Sequence, residues 1–300
     1  MAIKGLIGVI GGSGFVGSEL CAQLVSAGYS VRLLTRNTSK CRHLKVLPSL
    51  SIVQIENYQA NTLTSALKGC HALVNLIGIL NEKGRDGKEF HQIHVGTTRA
   101  ALNACEKANI PRLLQMSALN AHADGPSHYL RSKGKAENYL KTFSDSQVHY
   151  TIFKPSVIFG KDDSFLNRFA ALLKTVPGVF PLACADAQFA PVYVGDVAKK
   201  MVAAIDDKDS YNQTYELCGP HIYSLKELVQ YTANICGYKR AVLGLPLFLS
   251  RLQASVFEHV PGKPFSVDNF NSLKLDSVCT QSDACTTSLS AIAPTYLGKK

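Results

Sequence analysis

A tyrosine and a lysine four residues apart, Tyr129-Leu-Arg-Ser-Lys133, are the side chains of this sequence best suited to moving a proton. On a helix they share one face. A lysine ammonium beside a phenol favours the phenolate and lowers the tyrosine pKa, which suits an acid/base working near neutral pH. Ser117 closes an apolar run at 112–116, where its hydroxyl could orient a substrate oxygen. A second group is built to hold phosphate. Gly11-Gly12-Ser13-Gly14-Phe15-Val16-Gly17 lies between a strand-like run at 6–10 and a helix-like run at 15–26. Gly11 allows a tight turn, Gly14 lets the backbone approach a pyrophosphate, and Gly17 lets the helix pack close to the strand. The N–H groups of the first helical turn then face the phosphates, with Ser13, Phe15 and Val16 in the same cradle.

The next strand ends Leu33-Leu34-Thr35-Arg36. An acid at such an end would bind ribose hydroxyls, but no Asp or Glu occurs between Glu19 and Glu56. Arg32, Arg36, Lys40, Arg42 and Lys45 fall in that stretch instead. A basic residue there accommodates a 2′-phosphate, so NADP(H) is expected over NAD(H), with Arg36 as the main contact.

These groups need a scaffold that brings strand ends together. Strands are expected at 6–10, 31–34, 51–55, 72–77, 112–116 and 150–153, and helices at 15–26, 62–68, 91–108 and 127–143. The alternation means βαβ units, a parallel sheet and an α/β, Rossmann-like doubly wound fold. Right-handed crossovers put every strand's C-terminal end on one side, where ligands bind. Residues 1–160 form the expected dinucleotide-binding domain, its sheet completed by about 188–206 through a strand at 188–194 and a helix at 195–205. Residues 161–187 and 207–300, including a helix at 165–175, form a smaller substrate- or partner-side region. Residues 276–289 are polar and weakly patterned. The start, MAIKGLIGVIGGSG, mimics a signal peptide, but its apolar run stops at glycines, so a first strand is expected.

The chain has 300 residues, 46% of them hydrophobic, enough to bury a full core. No stretch is long and apolar enough to span a bilayer. The 9 cysteines are scattered, with no CxxC and no paired histidines, so reduced thiols in a cytoplasmic compartment and no metal site are expected. The net charge of +10 favours anionic partners, but no nucleic-acid-binding motif is present, and no nucleic-acid partner is expected. Gly244-Leu-Pro-Leu-Phe-Leu-Ser-Arg-Leu252 is apolar with one arginine. A membrane- or quinone-facing role is open for it, and core packing is the expectation.

Glycines spaced GxxGxxG, then Ser117, Tyr129 and Lys133 in that order, resemble the extended short-chain dehydrogenase/reductase superfamily. The resemblance implies that Tyr129 protonates a carbonyl oxygen as hydride leaves nicotinamide, and that Lys133 binds the nicotinamide ribose and tunes Tyr129. It places the turn Asn75-Leu76-Ile77-Gly78 against the cofactor, together with Met116 and the segment Lys154-Pro155-Ser156-Val157. Pro155 offers no N–H and ends the ladder near the nicotinamide. Further segments narrow the likeness: Asn75-Leu-Ile-Gly-Ile-Leu80, Met116-Ser-Ala-Leu-Asn-Ala121, Lys154-Pro-Ser-Val-Ile-Phe-Gly160, Asp163-Ser-Phe-Leu-Asn-Arg-Phe-Ala170 and Pro191-Val-Tyr-Val-Gly-Asp196. Together they resemble the branch of NAD(P)-binding accessory subunits of respiratory complex I (alpha subcomplex subunit nine) and its bacterial relatives. That branch usually carries an acid near position 57, on the adenine side; here it is Asn57.

Three functions follow as expectations. One is an NADPH-dependent oxidoreductase acting on a carbonyl or quinone-like small molecule in respiratory or ubiquinone metabolism, cytoplasmic or peripheral to the inner membrane. Another is a non-catalytic, NADPH-loaded accessory or assembly factor with a respiratory-complex or peripheral membrane partner. The third, an NAD-dependent sugar-nucleotide epimerase or dehydratase, is disfavoured by the basic end of the second strand.

Overall fold

A computed structural model describes residues 4–143, 146–260, 263–280 and 285–298. Seven strands form one parallel sheet: β1 (Leu6–Ile10), β2 (Ser30–Thr35), β3 (Leu50–Gln54), β4 (Ala72–Asn75), β5 (Arg112–Met116), β6 (His149–Pro155) and β7 (Gln213–Leu217). Their order is β7-β6-β5-β4-β1-β2-β3, which reverses direction between β1 and β4. The central strands β1, β4 and β5 are short and almost wholly buried, as a sheet covered on both sides requires, while the edge strands β3 and β7 are partly exposed.

Helices α1 (Phe15–Ser26), α2 (Ala60–Ala66), α3 (Thr97–Lys107) and α4 (His128–Lys141) follow their strands. Further helices are α5 (Leu166–Thr175), α6 (Val194–Ala203), α7 (Leu225–Ile235), α8 (Leu247–Phe257) and α9 (Val267–Ser272). One core lies under α1 and α6, with Leu20, Leu24, Val197 and Met201 against Val9 and Leu33. The other lies under α2, α3 and α4, with Leu63, Leu102 and Leu140 against Ile10 and Leu113. A third cluster, around Leu173, Phe180, Leu228 and Val242, fills the smaller C-terminal region.

The sheet is not completed within 188–206. Gln188–Phe189 and Val192–Tyr193 are two-residue strands in separate small ladders, and the seventh strand is β7, paired parallel to β6. The reason is α6: its buried residues Val197, Ala198 and Met201 pack toward α1, so it serves as the crossover, and the next strand adds beside β6. Arg112 fixes this junction. Its buried guanidinium donates to Ala204 O (2.7 Å), Thr151 Oγ1 (2.6 Å), Ser210 Oγ (2.7 Å) and His149 O (3.0 Å). Burial pulls its pKa down to about 10, which leaves it charged at neutral pH.

The expectation of reduced thiols is also corrected. Cys218 and Cys279 form a disulfide, while Cys21, Cys41, Cys70, Cys105, Cys184 and Cys236 are free thiols. Cys218 follows β7 directly, and the returning chain is held there by Ser156 Oγ, which donates to Ser277 O (2.6 Å). The polar stretch 276–289 thus crosses strand ends, except residues 281–284, which lie outside the described residues, as do residues 1–3 of the signal-like start. The expected helix at 91–108 is interrupted by a π-helical turn, Gln92–Gly96.

The close approach of α1 to β1 is tested at Gly17. A Cβ there would lie far inside contact with Gly12 Cα, which is backbone and cannot give way. Gly17→Ala is expected to destabilise the fold by about 1–3 kcal/mol, despite alanine's better helix propensity, as read by urea denaturation. A midpoint at or above wild type would contradict this packing.

Candidate functional site

Gly11, at φ +80°, makes the turn out of β1. That conformation suits glycine, and a Cβ would also strike Leu76 C at 2.8 Å. The β1–α1 turn is therefore seated on the Leu76-Ile77 turn that follows β4. Gly14 is the N-cap of α1; it has no capping side chain, and no acid sits in the first turn of the helix. A Cβ on Gly14 would meet only Gly11 O, at 3.4 Å. An uncapped helix N-terminus beside open space is an anion site, and these residues fit a dinucleotide pyrophosphate.

The turn after β4 is held from behind. Asn75 is buried; its amide donates to Gln115 Oε1 (2.8 Å), and its Oδ1 accepts from Ile77 N (3.1 Å). Ile79 N donates to His94 Nε2 (3.1 Å). Because Nε2 accepts, the His94 proton sits on Nδ1, which faces Ser132 Oγ at 2.8 Å; Ser132 in turn donates to Tyr129 O (2.8 Å). Burial and the Lys133 charge push the His94 pKa down to about 2, so it is neutral. His94 thus ties the Gly78-Ile79 turn to the first turn of α4.

Ser127 caps α4, accepting from Leu130 N (3.1 Å), and Asp268 of α9 takes the N–H groups of His128 (2.6 Å) and Tyr129 (3.1 Å). The half-buried Tyr129 ring packs edge-on against Phe90 and His94, with centroids 5.9 and 5.6 Å away. Its pKa is not lowered. Burial pushes it up to about 12. The Lys133 ammonium is pulled down to about 8 by burial, partly offset by Glu137. Lys133 Nζ donates to Met116 O (3.2 Å) and would stand 3.2 Å from a Cβ on Gly78.

Ser117 lies at the end of β5 as expected, but its hydroxyl donates to Glu137 in a very short bond. Glu137 is buried and also pairs with Lys154 Nζ (3.4 Å), which donates to Ala121 O (3.2 Å). Burial raises the Glu137 pKa, opposed by Ser117 and Lys154. Pro155 ends β6, Val157 is half-buried beyond it, and the Ser156 hydroxyl is engaged with Ser277. Arg36 is exposed at the end of β2, its guanidinium 5.2 Å from the Tyr58 ring centroid. Asn57 Oδ1 accepts from Gln59 N and Thr62 Oγ1, both at 3.0 Å. Beside Phe90 and His128 a cleft of about 240 Å³ opens toward Asn81, Glu82 and Lys263. In its wall Asn81 Oδ1 and Glu82 Oε2 have no hydrogen-bond partner among the described residues.

Three contributors were not expected from the sequence. Glu137 was findable, since 129, 133 and 137 recur every four residues on one helix face. His94 and Asp268 depend on a π turn and on a distant helix, and no local spacing marks them.

The family of proteins described as NAD(P)H-binding matches residues 11–208, from the glycine turn through α6. The chain belongs to that NAD(P)H-binding family. It is 29% identical to NADH dehydrogenase [ubiquinone] 1 alpha subcomplex subunit 9, mitochondrial, of Arabidopsis thaliana, over 92% of this chain and 72% of that one. It is 28% identical to a 4-hydroxy-2-methyl-3-oxo-4-farnesyl-3,4-dihydroquinoline-1-oxide ketoreductase of Stigmatella aurantiaca, over 56% of this chain and 54% of that protein. The dTDP-glucose 4,6-dehydratase DesIV of Streptomyces venezuelae superposes with a TM-score of 0.73 at 16% identity, covering 97% of this chain and 95% of that one. That last likeness concerns the fold. The family member described here is thus a distant homologue of the complex I subunit, with the short-chain dehydrogenase/reductase architecture.

The depressed Lys133 pKa carries a stability consequence. The unfolded chain holds that proton up to lysine's ordinary 10.5, the folded chain only to about 8. Between those values the unfolded state binds more protons, so stability rises with pH. Chemical denaturation of the family member across pH 8 to 10.5 is expected to show a rise of no more than about 3 kcal/mol that Lys133→Met removes. An identical pH profile in the variant would place the ammonium in water.

Proposed function

We propose that this family member is an NADPH-dependent oxidoreductase acting on a carbonyl or quinone-like substrate, with Tyr129 as its acid/base. The observation that carries the reading is the shared placement of Tyr129, Lys133 and the Gly78 turn, linked through His94 and Ser132, beyond the strand ends that the uncapped α1 also faces. Bound nicotinamide would supply hydride. The chain's own residues do the rest: Tyr129 holds the proton for the substrate oxygen, and Lys133 keeps a positive charge beside it below about pH 8. The Phe90–His94–Tyr129 packing keeps water from the ring faces. NADPH is preferred because Arg36, with no acid beside it, stands where β2 ends. The relatives named as a farnesyl-dihydroquinoline-oxide ketoreductase and as a subunit of NADH dehydrogenase [ubiquinone] support redox work of this kind, and we place it at the cytoplasmic side of a membrane or beside a respiratory complex.

A second reading has its own observation. Ser117 is tied to Glu137, and the Tyr129 pKa stands at about 12, an arrangement less ready for turnover. A nucleotide-loaded accessory or assembly factor would need the cofactor cradle but not a free serine.

Titration with NADPH and NADH, followed by nicotinamide fluorescence, tests the cofactor. NADPH is expected to bind more tightly, and Arg36→Ala to weaken NADPH by roughly tenfold, about 1–2 kcal/mol, while sparing NADH. Equal loss for both would remove the 2′-phosphate contact. On a panel of carbonyls and quinones, Tyr129→Phe is expected to lower kcat by roughly a hundredfold or more with cofactor affinity kept. Tight NADPH retention with no turnover in the wild type would select the accessory reading.

A further inference from the structure

The segment around Gly244–Leu252 does not pack in the core. In α8, Leu247 is 67% exposed, Phe248 71%, Leu252 57% and Val256 55%, whereas Ser250 and Ala254 face inward. Phe248, Leu252 and Val256 are spaced four apart and form one stripe along the helix. The patch continues onto the small parallel ladder of Val179–Leu182 and Ala241–Gly244, where Val179 is 54% and Leu243 57% exposed. Ladder and helix are one surface: Gln253 Nε2 donates to Pro181 O (3.2 Å), and Cys184 N to Ser250 Oγ (3.2 Å). So many large apolar side chains side by side are not left in water without a partner.

The two segments that carry the patch bear charges of one sign. Residues 174–182 and 239–257 carry Lys174, Lys239, Arg240 and Arg251, and no Asp or Glu. Arg240 Nε donates to Leu173 O (3.1 Å), which sets this cationic pair against the end of α5 that bears Lys174. The first acid after the helix, Glu258, lies 3.8 Å from Arg85. Among the described residues no helix is long and apolar enough to cross a membrane. A short apolar stripe flanked by cations lies in the plane of a lipid surface: apolar side chains enter the acyl boundary while Lys and Arg reach headgroup phosphates.

We propose that α8 and the adjoining ladder dock this protein on an anionic phospholipid bilayer. This deepens the membrane-side placement proposed above but does not rest on the redox chemistry. The cleft lies close to α8: Glu258, which follows that helix, lines it together with Val267 and Asp268 of α9, which contacts α8.

The experiment is co-sedimentation of the full chain with vesicles of phosphatidylcholine alone and of phosphatidylcholine with phosphatidylglycerol. Binding is expected to the anionic vesicles, to weaken with salt, and to be far weaker with phosphatidylcholine alone. The double variant Phe248→Asp/Leu252→Asp is expected to lose roughly tenfold or more of the partition. Arg251→Glu/Lys239→Glu should lose the preference for anionic lipid. Both changes lie on exposed positions, so thermal melts and NADPH titration should match wild type, which separates failure of docking from failure of the cofactor reading. Wild-type protein that ignores both vesicles, or a double variant that sediments as wild type does, overturns the proposal. So does a dimer in sedimentation velocity that the double variant abolishes while vesicle binding persists, since the face would then belong to a second copy.

Discussion

The absence of side chains at Gly12 and Gly17 is the constraint on which the site depends. Their backbones are in contact, so α1 begins hard against the end of β1. That distance fixes where the helix N-terminus points and seats the Gly11 turn on Leu76. From Leu76 the positioning runs on through covalent neighbours and hydrogen bonds, from Asn75 behind the turn to His94 and Ser132. The phosphate cradle and Tyr129, on elements far apart in sequence, are thereby held in one frame. A cofactor spanning both gains from this preorganisation, because the frame is set before binding.

Electrostatics sets a second constraint, behind the site. Glu137 is buried with Lys154 beside it and Lys133 one turn before it on α4. An isolated buried carboxylate would take up a proton, and an isolated buried ammonium would lose one. Packed as a cluster, they moderate each other, and Ser117 adds a hydrogen bond to the carboxylate. The serine therefore has a structural task in this arrangement. Any part it takes in orienting a substrate oxygen requires its hydroxyl to turn from Glu137, and the Lys154 pair would have to carry the carboxylate while it did so.

Most of the sheet was legible in the sequence because its strands are short apolar runs closed by glycines or by special residues such as Pro155. β1, α1 and β5 match their expected bounds, since each is bracketed by a clear stop. Legibility fails where placement depends on partners distant in the chain. Gln188–Phe189 and Val192–Tyr193 have strand-forming residues, but the edge open beside β6 is taken by Gln213–Leu217, whose pattern is weaker. The glycine cradle was readable because its geometry is local. The Ser117 environment was not, because Glu137 reaches it across the β5–α4 connection. The Cys218–Cys279 pair, 61 residues apart, could not be told from scattered thiols by spacing.

The same limit governs α8. Composition alone reads an apolar helix with one arginine as core, since burial is the usual way to remove apolar surface from water. Which face is buried depends on what it packs against, and the residues α8 buries fully are small ones, Ser250 and Ala254, with Leu249 and Phe257 half-buried beside them. Small inward residues let a helix lie close on the ladder beneath it. Leu247, Phe248, Leu252 and Val256 are then left facing outward. A core helix would show the reverse arrangement, so the size pattern around α8, rather than its mean hydropathy, distinguishes a docking face from an interior one.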